Sequence, residues 1–156
     1  MEIEKKSIIY PRPTEELILN KEKKWRNILP IDYKEFIMKY NGAIVCKKNF
    51  LCNENNYSID RFLCILSVTG NNELEWYDIN VIESQIGERL TDNEDLIGVE
   101  LLPIANLFAG HYLCLDYRKE PLNPSVCVWN NEESGEFEPI TYQVANRFKA
   151  FLDMLT

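Results

Sequence analysis

The segment Leu29-Pro30-Ile31-Asp32-Tyr33-Lys34-Glu35-Phe36-Ile37-Met38-Lys39-Tyr40-Asn41-Gly42 carries both ends of one helix. Proline lacks a backbone N–H and clashes with the preceding turn, so Pro30 is tolerated only where a helix begins. Tyr33, Phe36, Ile37 and Tyr40 then recur at spacings of three, four and seven, which puts a largely aromatic stripe on one face. Asn41-Gly42 supplies the left-handed residue that closes a helix, so the chain turns at once into an extended run over residues 43–46. A fold that accepts this segment must cover one aromatic helix face and turn sharply beside it.

The rest of the chain supplies that cover. Behind Pro11 and Pro13, Thr14 can cap a helix that runs to about Trp25, with Glu15 and Glu16 at the positive end of its dipole. Residues 61–68 are apolar and strand-like, bounded by the turn cluster Thr69-Gly70-Asn71-Asn72. Ile79, Ile82, Ile86 and Leu90 share one face of a third helix over residues 78–90, weakened by Gly87. Strands follow over 100–105, 111–116 and 125–129, and their short connections favour antiparallel neighbours. After a polar, acidic stretch at 130–138, Val144, Phe148, Phe151, Leu152 and Leu155 form one stripe of a C-terminal helix. The expected class is α+β, a mainly antiparallel sheet flanked by about four α-helices. With 156 residues, no repeats and no linker, one domain over residues 1–156 with its core at about 14–155 is expected.

Chemistry-bearing patterns are scarce. His111 is the single histidine, which removes triads that need an imidazole base and metal sites built on two imidazoles. No phosphate-cradling or nucleophile-elbow motif occurs, and six glycines leave little material for one. A carboxylate pair built on Asp116 could serve acid/base chemistry, but such pairs are found by geometry and not by spacing. The acidic runs at 92–95 and 130–133 lack the glycine and terminal glutamate of a calcium loop. The expectation is no catalytic residue, no cofactor and no metal. Cys46, Cys52, Cys64, Cys114 and Cys127 form an odd set without a C-x-x-C pair, which suits free thiols in a reducing cytoplasm. No apolar run reaches the roughly 18–20 residues of a membrane span, and the charged start is not a secretory signal.

Charge is uneven. Residues 1–50 hold eleven Lys/Arg against seven Asp/Glu, and residues 51–156 hold six against eighteen. Acidity of this kind keeps a protein in solution, and it also repels nucleic acid and anionic membranes while favouring a basic protein partner. Trp25 and Trp129 lie in periodic apolar contexts and read as core. Trp76 is ringed by Glu73, Glu75 and Asp78, and reads either as core with acids outside or as the exposed anchor of an interface.

Three segments together resemble the SUKH superfamily, which includes the yeast Smi/Knr cell-wall regulators and many bacterial immunity proteins of polymorphic toxin systems. The helix and turn at 29–43 is similar to the family's LP-x-x-Y-x-x-F-x-x-x-NGG pattern, with Ala43 in place of the second glycine. Leu102-Pro103-Ile104-Ala105, Gly110 and Leu113-Cys114-Leu115-Asp116 resemble its IPIA, glycine and LD elements. Val126-Cys127-Val128-Trp129 and then Val144-Ala145-Asn146-Arg147-Phe148-Lys149-Ala150-Phe151-Leu152 resemble its last strand and closing helix, with Asn146 where serine is frequent. The resemblance implies, in a bacterium, an immunity protein that neutralises a cognate toxin, often a nuclease or deaminase; a monomer or weak homodimer is expected. The alternative it implies is a regulatory scaffold for a cellular protein. The matched motifs are scaffold, so partner recognition is expected in the unmatched parts: Trp76; Asp92, Glu94 and Asp95; Glu132, Glu133, Glu136 and Glu138.

Overall fold

Strands with no polar alternation are those a protein buries on both faces, and here they form the middle of the sheet. The computed structural model describes residues 1–70 and 73–156. Its six strands are β1 (Asn49–Cys52), β2 (Asn55–Phe62), β3 (Leu101–Leu107), β4 (Tyr112–Asp116), β5 (Ser125–Trp129) and β6 (Thr141–Ala145). They pair in sequence order, every pair antiparallel. The four helices are α1 (Glu15–Trp25), α2 (Ile31–Tyr40), α3 (Ile79–Ile86) and α4 (Phe148–Asp153). This is the α+β arrangement expected, with helices flanking an antiparallel sheet.

Alternation along β4 and β5 divides the buried side chains into two clusters. Leu113, Leu115, Val126 and Val128 join the large core shared with the helices. Cys114, Cys127 and Trp129 turn the other way and pack with Leu90 and Leu101. Ile86 at the end of α3 touches both clusters. The sheet also curls until its edges meet, with the Cys52 thiol 3.7 Å from the carbonyls of Tyr142 and Gln143.

The 29–43 segment behaves as its sequence requires. Pro30 sits at the N-cap of α2, and Phe36 packs on Phe62 and Phe148 with ring centroids 4.7 and 5.1 Å apart. Asn41 and Gly42 form a turn closed by the Ala43 N–H on the Tyr40 carbonyl at 2.9 Å, with Gly42 at φ +67°. The Asn41 amide is fully buried and does more than turn the chain. It donates to the Ile9 and Ile65 carbonyls and accepts from the Ile65 N–H, which ties the N-terminal segment to the core.

Several elements differ from their sequence reading. Residues 43–46 form a single bridge, Val45 to Ile3, and no strand. The strand expected at 61–68 lies earlier, because Asn53 and Glu54 at φ 51° and 64° make a two-residue hairpin turn that pairs β1 with β2. Of the turn cluster at 69–72, Asn71 and Asn72 lie outside the described residues. Val144 belongs to strand β6 and not to the last helix, which begins at Phe148. Thr141, Tyr142 and Val144 are β-formers, and the i, i+4 match of Val144 to Phe148 overrode them in the helical reading.

Tyr33 is buried against Phe148, and its hydroxyl has no hydrogen-bond partner among the described residues. Burial pushes its phenol well above the ordinary range. An unpaired buried hydroxyl costs stability, so Tyr33→Phe is expected to raise it by about 1 kcal/mol. The readout is a higher urea midpoint with an unchanged slope.

Candidate protein-binding cleft

The ends of α1 and α3 and the chain before β3 enclose a cleft of about 480 Å³. Trp25, the last residue of α1, is buried and donates its indole N–H to Asn80 of α3 at 2.9 Å. The chain leaves α1 through Arg26 in the left-handed conformation. The Val99 N–H then returns to the Trp25 carbonyl at 2.9 Å, docking the 91–99 loop on the helix end. Gly98 makes the approach possible, because a Cβ there would lie 2.6 Å from that carbonyl oxygen. Inside the loop, Asn93 Oδ1 accepts from the Asp95 N–H and Thr91 Oγ1 from the Asn93 N–H, both at 3.0 Å.

Arg89 brings the second acidic loop to the same place. Its guanidinium lies 4.8 Å over the Trp129 ring and donates to Asn131 Oδ1, the Asn131 carbonyl and the Ser134 carbonyl. The Phe137 N–H donates to the Glu88 carbonyl at 2.7 Å, and Phe137 becomes part of the cleft wall. The donors of Arg89 are thus spent on structure, while its positive charge, facing neutral partners, stays in the recess beside the cleft.

The cleft lining contains Glu83, Glu88, Glu94 and Glu100 against one cation, Lys24. The negative end of the α3 dipole falls among them. Glu136 lines an adjoining recess with Glu83 and Glu88. Asp92, Asp95 and Glu138 are exposed on the same two loops without lining the cleft. Glu132 and Glu133 lie elsewhere, on a separate pocket beside β2. Trp76 is 62% exposed in a short 3-10 turn ahead of α3, so it is not core, and it lines neither concavity. Sequence reasoning missed Glu83, Glu88 and Glu100. They sit on or beside regular elements, where nothing in spacing separates a cleft carboxylate from a solvated one.

Glu83 is the distinctive group. Burial pushes its carboxyl up to about 7, with Lys24, the Trp25 indole and Lys21 pulling it back and Asp78 pushing it further. An acid raised in the folded state contributes stability below its unfolded value near 4.5 that is lost as pH rises to about 7. Glu83→Gln is therefore expected to flatten that stretch of the stability profile and to add about 1 kcal/mol above pH 7, after discounting for partial solvent exposure. Urea titrations from pH 4 to pH 8 check it.

Other polar groups are occupied by structure. Burial would push Asp116 up, but Arg118 wins and holds it below the ordinary range through hydrogen bonds of 2.9 and 2.8 Å. His111 Nδ1 accepts the Asn131 N–H at 2.9 Å. Cys52, Cys64, Cys114 and Cys127 are buried, and burial pushes the Cys64 thiol up to about 12. Among the described residues no three His, Cys, Asp or Glu side chains converge to hold a metal ion, and no helix is long and apolar enough to cross a membrane.

An antiparallel meander whose three central strands are buried on both faces, flanked by four helices, defines the class of this α+β protein. The family model described as SMI1-KNR4 cell-wall matches residues 15–152, and the chain belongs to this SUKH family. No curated protein and no solved structure matches the chain.

Proposed function

We propose that the chain is an immunity protein that binds a basic toxin domain, a nuclease or deaminase, through the cleft and its two acidic loops. The observation that carries this reading is the lining of Glu88, Glu94 and Glu100 against one lysine, with the raised Glu83 carboxyl adding less charge, walled by loops that Gly98 and Arg89 hold in place. A preformed acidic surface complements the cationic groove with which such an enzyme holds its nucleic-acid substrate, so binding there excludes substrate. Glu94 and the neighbouring Asp92 and Asp95 supply one rim, and Glu136 and Glu138 the other. The mechanism is occlusion, with no chemistry asked of the chain. Membership of a family described by cell-wall proteins favours a second reading, a regulatory scaffold for a cellular protein.

Electrostatic steering gives the test. Association with the toxin domain is expected to slow roughly tenfold or more as salt rises from about 50 to about 500 mM, where screening shortens to a few ångströms. Stopped-flow association rates measure it, and a rate insensitive to salt contradicts an acidic docking face.

A further inference from the structure

A second concavity of about 380 Å³ lies between β2, the β3–β4 turn and the start of the 130–138 loop, and shares no lining residue with the acidic cleft. Its volume falls within the range of about 300–1,000 Å³ usual for small-molecule sites. Tyr57, His111 and Asn130, respectively 7%, 9% and 8% exposed, are the three buried polar side chains of its lining. Three further amides, Asn49, Asn55 and Asn56, stand exposed around it, as do the carboxylates of Glu132 and Glu133. Polar side chains buried this deeply beside an open pocket are a built feature and not a solvated face.

Phe108 stands at the edge of this pocket with 71% of its surface exposed. It is not loose. The turn that carries it is closed by the Leu107 N–H on the His111 carbonyl at 2.8 Å, with Ala109 and Gly110 both at positive φ. Asn131 packs beneath Gly110, so closely that a Cβ there would lie 2.8 Å from its amide nitrogen. A large aromatic ring is therefore held in water by a rigid turn.

The donors and acceptors select the ligand. Because the Asn131 N–H donates to His111 Nδ1, that nitrogen carries no hydrogen, and the neutral ring bears its hydrogen on Nε2. Nε2 has no hydrogen-bond partner among the described residues and remains a donor. Asn130 Oδ1 already accepts the Glu133 N–H, the Asn55 amide donates to the Asn53 carbonyl, and the Glu133 carboxylate accepts from the Tyr142 hydroxyl. Asn49 and Asn56 are thus the amides that offer donors and acceptors together, and the glutamates offer only acceptors. An anion is repelled by Glu132 and Glu133. An ammonium or guanidinium has no acceptor for the histidine N–H. A hydroxyl can both donate and accept, and so suits the His111 N–H, the exposed amides and the carboxylates together. A sugar ring presents hydroxyls around its edge and C–H bonds on its face, the surface that an exposed phenyl ring covers. We infer that this pocket binds a neutral sugar residue, edge-on to the amides and His111, with its apolar face against Phe108.

The test is a titration of the full ¹⁵N-labelled chain with glucose, galactose, mannose and N-acetylglucosamine in turn, with argininamide as the cationic comparison. At least one sugar is expected to shift the resonances of Asn49, Asn56, His111 and Asn130 saturably, with a millimolar dissociation constant, about −4 kcal/mol. Phe108→Ala and Asn56→Ala, both at exposed positions and so compatible with an unchanged spectrum elsewhere, are each expected to weaken binding about fivefold or more. The inference fails if no sugar moves these resonances up to about 50 mM, beyond the weakest specific contacts expected. It fails equally if argininamide moves them and no sugar does, or if Phe108→Ala leaves the affinity unchanged.

Discussion

Gly98→Ala is expected to destabilise the protein by about 3 kcal/mol or more and to release the 91–97 loop. Two effects add. Gly98 sits at φ +90°, a region that an L side chain rarely enters, and a new Cβ would lie 2.6 Å from the Trp25 carbonyl oxygen. That oxygen is held in place, because it belongs to the last residue of α1 and accepts the Val99 N–H and the Asn27 side-chain amide. The contact is with backbone and not with the far end of a flexible side chain, so relief requires undocking the loop. Gly70→Ala isolates the backbone contribution: Gly70 is at φ +106° with no described residue within 4 Å of its would-be Cβ, and should cost only about 1 kcal/mol. Urea unfolding of both variants and amide exchange across 91–99 measure the difference. Equal losses for the two glycines would mean that the loop is not docked as described.

The second large effect concerns binding. Glu88→Lys combined with Glu94→Lys changes the cleft by four charges at exposed positions, and neither side chain holds a structural hydrogen bond among the described residues. The fold should persist while affinity for a basic partner falls about a hundredfold, most of it in the association rate. The deficit should shrink at high salt, since steering is the part that screening removes. Glu132→Lys with Glu133→Lys makes the same change in charge on the separate pocket, and is expected to cost less than about threefold through the general field alone. Interferometry with the captured partner at two salt concentrations distinguishes the pairs. Similar losses from both would place the effect in net charge and not in the cleft.

The legible parts of this fold are those where one residue pattern has one physical solution. Pro30 and Asn41-Gly42 bound a helix because few backbones tolerate them otherwise, and Leu101–Leu107, Tyr112–Asp116 and Ser125–Trp129 read as central strands because both faces are covered. The β1–β2 hairpin was opaque because its left-handed turn is Asn53-Glu54, without the glycine that marks such turns. Strand β6 was hidden because Val144 falls in helical register with Phe148. The site was legible only in part. The loops could be named from composition, but their assembly depends on Arg89 crossing to Asn131 and Ser134 and on Gly98 meeting Trp25, contacts between residues 42 to 73 positions apart in the chain. Sequence also grouped Glu132 and Glu133 with Glu136 and Glu138, and the turn at Ser134 and Gly135 separates them.

The central claim is that the acidic cleft receives the partner. Its most direct test is a capture experiment from cells of the source strain with three baits in parallel: the natural chain, the Glu88→Lys/Glu94→Lys variant and the Glu132→Lys/Glu133→Lys variant, each washed at low and high salt. The account predicts that the natural chain and the second variant retain a protein ending in a basic toxin domain at low salt, that high salt releases it, and that the cleft variant fails to hold it. Retention of the same protein by the cleft variant, or recovery of a housekeeping enzyme in place of a toxin, would contradict it.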